Sequence, residues 1–152
     1  GHCGQAIASV CDNLGWSHSV FDIRSEFADS GLYPNAIEKH HGDVTEFLDS
    51  LRVKKIIRFS DVLLLGHDWT VDQEMLIGLL LERRGHDRPR IGAIGSRSKW
   101  KAFRQAAIDA GVSEKAVDSV RCPIGIDIGA ETPEEIAISV CAEIMSLEKG
   151  II

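Results

Sequence analysis

Apolar residues recur along the chain with two alternating periods, one spaced like a helix face and one like a buried strand. Ile7, Val10, Cys11 and Leu14 form one stripe, which predicts a helix over 5–14 stopped by Gly15 as its C-cap. Residues 18–23 read as a strand, with Val20 and Phe21 leading into Asp22. A short extended stretch is expected near 36–37, followed by a helix through Val44, Phe47, Leu48 and Leu51. The continuous run Val62-Leu63-Leu64-Leu65, closed by Gly66, predicts a strand buried on both faces. A leucine-rich helix over 72–84, a strand over 90–94 and a helix over 97–110 follow. That helix turns Trp100, Phe103 and Ala107 inward and is closed by Gly111. Residues 113–120 suit a short helix, and the glycine-punctuated segment CPIGIDIGAETPEE leads into the last one. There Thr132 is placed to cap, Pro133 takes the first helical position and Glu135 completes a capping box. Ile136, Val140, Ile144 and Leu147 are its expected buried stripe.

Strands alternating with helices predict a three-layer, Rossmann-like parallel α/β sheet with helices on both faces. No internal repeat, low-complexity tract or linker interrupts the 152 residues, so a single domain over 1–152 is expected. The net charge of −6 comes from interspersed acids and bases, and the basic stripe that a nucleic-acid surface needs is missing. No apolar run approaches the roughly 20 residues of a membrane span, and the first residues do not resemble a signal peptide. The four cysteines show no C-x-x-C spacing, so no metal site is expected. Cys11 and Cys141 fall on apolar helix faces, where a free thiol packs as a small hydrophobe, and a reducing cytoplasm fits this usage.

The candidate chemistry begins at the first residue. Gly1-His2-Cys3-Gly4 ahead of a helix matches the second half of G-x-G-x-x-G, where glycine lets backbone approach a pyrophosphate at a helix N-terminus. Asp22, at the end of the next strand, stands where an acidic residue bonds a ribose hydroxyl. Its charge would repel a 2′-phosphate, whereas Arg24 would welcome one; a plain surface ion pair between the two is the competing reading. The strand that should precede the glycine loop is absent from this sequence. In a doubly wound order that strand is central, so two strands are expected to flank an unpaired gap.

Ligands of open α/β sheets lie beyond the carboxyl ends of the strands, which also singles out His67 and Asp68, then Ser96, Arg97 and Lys99. His67 and Asp68 suit acid–base work or ligand hydrogen bonds, or Asp68 simply caps a helix. Ser96-Arg97 offers a grip for a phosphate or carboxylate, or a helix start. Cys122, before Pro123, is the best-placed thiol for chemistry, with packing in a loop as its alternative. Cys3 is expected to pack. His40-His41, beside Gly42-Asp43, reads as a surface turn.

Several segments together resemble the C-terminal Rossmann domain of the xanthine dehydrogenase accessory family, the XdhC/CoxI type. They are GHCGQAIA, FDIRSEFAD, GHDWTVDQEML, IGAIGSRSK and, most distinctively, CPIGIDIGAETPEEIAISVCAEI, in family order across nearly the whole chain. Gly66 departs from the threonine common there. The resemblance implies a non-enzymatic maturation role: binding molybdenum cofactor, assisting its sulfuration and delivering it to a molybdenum hydroxylase apoenzyme. It further implies NAD(P) or a related nucleotide as ligand, a cysteine desulfurase as second partner, and a homo-oligomer. Two rivals stay open: an NAD(P)-dependent oxidoreductase, which needs a substrate domain and a hydride-transfer site, and an NAD(P)-sensing regulatory domain.

Overall fold

The computed structural model describes every residue of the chain except His67 and the side chain of Lys54. Its fold is α/β of the Rossmann type, with parallel strands alternating with helices. In chain order the elements are α1 (His2–Leu14), β1 (Ser19–Asp22), a 3-10 turn (Ser25–Ala28), β2 (Glu38–His41), α2 (Val44–Lys54) and a second 3-10 turn (Ile56–Arg58). Then follow β3 (Asp61–Leu64), α3 (Trp69–Arg83), β4 (Arg90–Ala93), α4 (Arg97–Asp109), α5 (Glu114–Asp118) and α6 (Pro133–Glu148).

The element ends follow from capping chemistry. α1 starts three residues before the expected position 5 because Gly1 takes the N-cap position, so His2, Cys3 and Gly4 are its first turn. It stops at Gly15, which turns left-handed at φ 72° and donates its N–H to the Asp12 carbonyl at 3.2 Å. α3 likewise starts early: Asp68 caps it by accepting from the amides of Thr70 at 2.9 Å and Val71 at 3.2 Å. α6 carries the expected capping box, with Thr132 Oγ1 accepting from the Glu135 amide at 3.1 Å and Glu135 Oε2 accepting from the Thr132 amide at 3.0 Å. Its buried face is turned from the expected stripe, and Ala137, Val140 and Cys141 are the positions fully covered.

Among the described residues the strands form two separate parallel pairs. β1 pairs with β2 in the register Ser19↔Glu38 to Asp22↔His41. β3 pairs with β4 from Asp61↔Arg90 to Leu64↔Ala93, and a parallel bridge joins Gly92 to Arg121. His40 and His41 lie in β2 rather than in a surface turn, because the ladder with β1 reaches that far. β3 is less buried than its apolar run predicted: only Leu64 is fully covered, since β4 is its one neighbour in that pair.

The chain divides into two compact units. Unit 1 comprises residues 1–43 and 125–152; there α1 and α6 pack along each other, and Ala8, Tyr33 and Ala36 form a buried cluster against Val20. Unit 2 comprises residues 44–124, with Leu51, Leu76, Leu79, Ile91, Phe103 and Val117 almost wholly buried. No helix among the described residues is long and apolar enough to cross a membrane.

Candidate functional site

In unit 1 the candidate site gathers at the carboxyl end of β1. β1 delivers Asp22, and the turn after it carries Arg24 back over the Phe27 ring, 3.7 Å from the centroid. Arg24 then grips Asp22 three times: backbone N–H to Oδ1 at 2.9 Å, Nε to Oδ1 at 3.0 Å and Nη2 to Oδ2 at 3.1 Å. Burial works against the carboxylate's charge. The Arg24 bonds outweigh it and hold Asp22 below the usual carboxylate range. Tyr33 packs beneath, its hydroxyl pushed up by burial and then by the charge of Asp22.

These residues fit a nucleotide on two counts. No side chain caps the start of α1, so its first-turn amides point at whatever lies beyond Gly1, and the dipole there favours an anion. Asp22 Oδ2 accepts one bond from Arg24 and keeps a lone pair for a ribose hydroxyl. Asp22 and Arg24 thus form the ion pair that was the competing reading, and the pair leaves acceptor capacity at the expected place.

The second group of sequence candidates belongs to unit 2, at the ends of β3 and β4. His67 lies outside the described residues. Asp68 and Ser96 both act as N-caps, Ser96 Oγ accepting from the Lys99 amide at 3.2 Å. Arg97 is exposed at the first position of α4. Cys122 is half-buried with its Sγ 3.9 Å from the Gly95 carbonyl oxygen, and burial pushes its thiol up against a smaller opposing effect of Lys99. Such a thiol is not an activated nucleophile.

Sequence reasoning missed Asp72. It is 5% exposed and accepts from Lys99 Nζ at 3.2 Å; Lys99 Nζ also donates to the Ile94 carbonyl at 2.9 Å. Burial raises the Asp72 carboxyl, against the pull of Lys99 and of the Gly66 amide. Gly66 and Gly95 make room for this pair: a Cβ on the first would run into the Asp72 carboxylate, and one on the second into the Lys99 side chain. A signal did exist in the sequence, because Asp72 falls on the same helical stripe as Met75, Leu76, Leu79 and Leu80, where a lone carboxylate needs a partner. Among the described residues, no three His, Cys, Asp or Glu side chains gather as a metal site.

Against known proteins, residues 1–144 match the family model described as the XdhC Rossmann domain. The chain is 33% identical to the uncharacterized protein YqeB of Escherichia coli over 154 residues, covering 99% of this chain and 26% of that protein. It is 29% identical to a probable xanthine dehydrogenase subunit of Bacillus subtilis, covering 95% of this chain and 40% of the relative. A crystal structure of a xanthine dehydrogenase from Bacillus halodurans superposes with a TM-score of 0.76 at 27% identity, over 99% of this chain and 42% of the other. The chain thus spans well under half the length of each.

Proposed function

The chain belongs to the XdhC Rossmann domain family, and from that premise we propose that it is the nucleotide- and cofactor-binding domain of an accessory protein for a xanthine dehydrogenase-type molybdenum hydroxylase. The observation that carries the proposal is that one unit holds both an uncapped helix N-terminus and, at the end of β1, a carboxylate with acceptor capacity to spare, Asp22. In this reading the first-turn amides at Gly1, His2, Cys3 and Gly4 hold a phosphate, and Asp22 takes the ribose hydroxyl. Arg24 is already engaged by Asp22 and Phe27, so it orients the carboxylate instead of receiving a 2′-phosphate. That arrangement favours NAD over NADP. In unit 2, Asp68 and Ser96 are engaged as N-caps and Arg97 is exposed beside Ser96.

Molybdenum cofactor is cargo in this account, delivered to an apoenzyme after sulfuration with a cysteine desulfurase as sulfur source. The names of the Bacillus relatives support the link to a xanthine dehydrogenase. The test is reconstitution: a xanthine dehydrogenase-type apoenzyme is mixed with purified molybdenum cofactor, with and without this protein. The proposal expects faster recovery of hydroxylase activity, and cofactor retained by the protein on gel filtration. Neither acceleration nor retention would overturn it, as would NAD(P)H turnover by the protein without any partner.

A further inference from the structure

We propose that unit 2 carries an anion pocket in which Lys55, Arg84 and His86 take the phosphoryl group of a small phosphate monoester. A cavity of about 200 Å³ opens where α2 and α3 end, at the segments that lead into β3 and β4. Its apolar wall is made by Leu51 and Ile56, both buried, and by Ile57. The one carboxylate of its polar wall, Glu82, is already engaged: Oε1 accepts from Arg52 Nε at 2.6 Å, and Arg52 also meets Asp49 at 3.1 Å. Lys55, Arg84 and His86 line the same cavity and are exposed. Among the described residues their side chains have no hydrogen-bond or ion-pair partner.

The backbone is strained at two of these three residues. Among the described residues, two that are not glycine have positive φ, Lys55 at 57° and Arg84 at 50°, and both line this cavity. A side chain resists that region, and a helix that ends left-handed ordinarily uses glycine. Arg84 takes the left-handed position at the end of α3 although Gly85 follows it. Lys55, with ψ at 110°, lies outside even the left-handed helical region. Its carbonyl accepts from the Arg58 amide at 3.2 Å and from Arg58 Nη1 at 3.4 Å, which holds the turn. Cations at helix carboxyl ends complement the dipoles there, and that accounts for the charge alone. It does not account for strain at two residues of one cavity, a feature that concentrates at ligand clamps.

Size and donors select the ligand. Sites for drug-sized molecules and cofactors span about 300–1,000 Å³, so this cavity takes a smaller group. A phosphoryl group carries a charge of about −1.5 to −2 near neutral pH and three strong acceptor oxygens. Lys55 supplies a point charge, Arg84 a two-pronged fork and His86 a ring N–H, so each oxygen finds its own donor. A carboxylate, with one charge and two oxygens, would leave one of the three groups unmatched. Ile57, 49% exposed, receives the short carbon chain of the ester. The pocket shares no residue with the site at Asp22, which belongs to unit 1.

The experiment follows the ring C–H signals of His86 by NMR, assigned with His86→Gln. The folded protein is titrated with sodium phosphate, glycerol 3-phosphate or acetate at constant ionic strength. Saturable shifts are expected with both phosphates, and acetate should bind at least about tenfold more weakly. Lys55→Gly and Arg84→Gly separate binding from folding. Glycine adopts positive φ freely, so neither should lower the unfolding midpoint. Each should nevertheless weaken phosphate binding at least about tenfold, the usual worth of one charge-assisted bond. A His86 signal that phosphate does not move, moves without saturation, or moves no more tightly than acetate does would overturn the proposal. So would unchanged phosphate affinity in either glycine variant.

Discussion

A carboxylate that burial alone would neutralise is held beside Lys99 in unit 2, and its environment makes a directional prediction. Asp72 has a raised pKa in the folded protein, so folded protein keeps its proton to higher pH than the unfolded chain does. The cost of its charge therefore appears as pH rises through the ordinary carboxylate value toward the raised one, and is complete above it. Lys99→Met removes the compensating ammonium. Denaturant unfolding should show it destabilised by about 3 kcal/mol near pH 7 and by progressively less as acid takes the pH down through the raised range, where Asp72 takes a proton. An equal loss at both values would mean that the ammonium is not what sustains the charge. Asp22 behaves oppositely. Its pKa is lowered, so the stability it adds is present in full above the ordinary carboxylate range and is lost only as acid takes the pH down through the lowered value. Replacing it, as Asp22→Ala, should weaken NAD binding by about tenfold to a hundredfold, the usual worth of a hydrogen bond to a charged group. The place of Asp22 at the end of a strand was legible in the sequence, but the ion pair around Asp72 was not. A single sequence places Asp72 on an apolar stripe without saying that Lys99, 27 positions later, folds onto it.

The elements themselves were mostly readable, because periodicity sets where a helix or strand exists and capping sets where it ends. Both early starts, at His2 and at Trp69, come from N-cap residues standing before the apolar stripe begins. β2 follows the predicted extended stretch and takes in His40 and His41, since pairing with β1 selects the register and propensity does not. The rotated face of α6 has a similar cause: α1 covers the Ala137–Val140–Cys141 side, where small residues let two helices approach. The clearest element signal was the capping box. Thr132→Ala should cost about 1 kcal/mol, measured by thermal or denaturant unfolding, with little change in the ligand site; no loss would show that the cap is redundant there. Arg83, at the far end of the α3 stripe, donates to the Pro89 carbonyl at 3.3 Å and to Ser119 Oγ at 2.7 Å. Arg83→Met leaves those acceptors to be satisfied elsewhere and should destabilise the fold by about 2 kcal/mol in the same assay.

For the molecule as a whole, alternation of strand and helix predicted a parallel α/β fold, and the described residues form two parallel strand pairs. Each pair is parallel, β1 with β2 and β3 with β4, as strands joined by helical crossovers require. Division into two compact units was not readable, because no linker or change of composition marks residue 44 or 125. Family membership adds the context that a half-present glycine loop could not carry alone. The central claim is that the start of α1 and Asp22 together bind a dinucleotide whose adenosine ribose is unphosphorylated. Calorimetric titration of the protein with NAD and with NADP tests it most directly. The account predicts a saturable NAD isotherm and NADP binding at least about tenfold weaker, as a phosphate facing a carboxylate requires. Equal affinities, a preference for NADP, or no heat from either would contradict it.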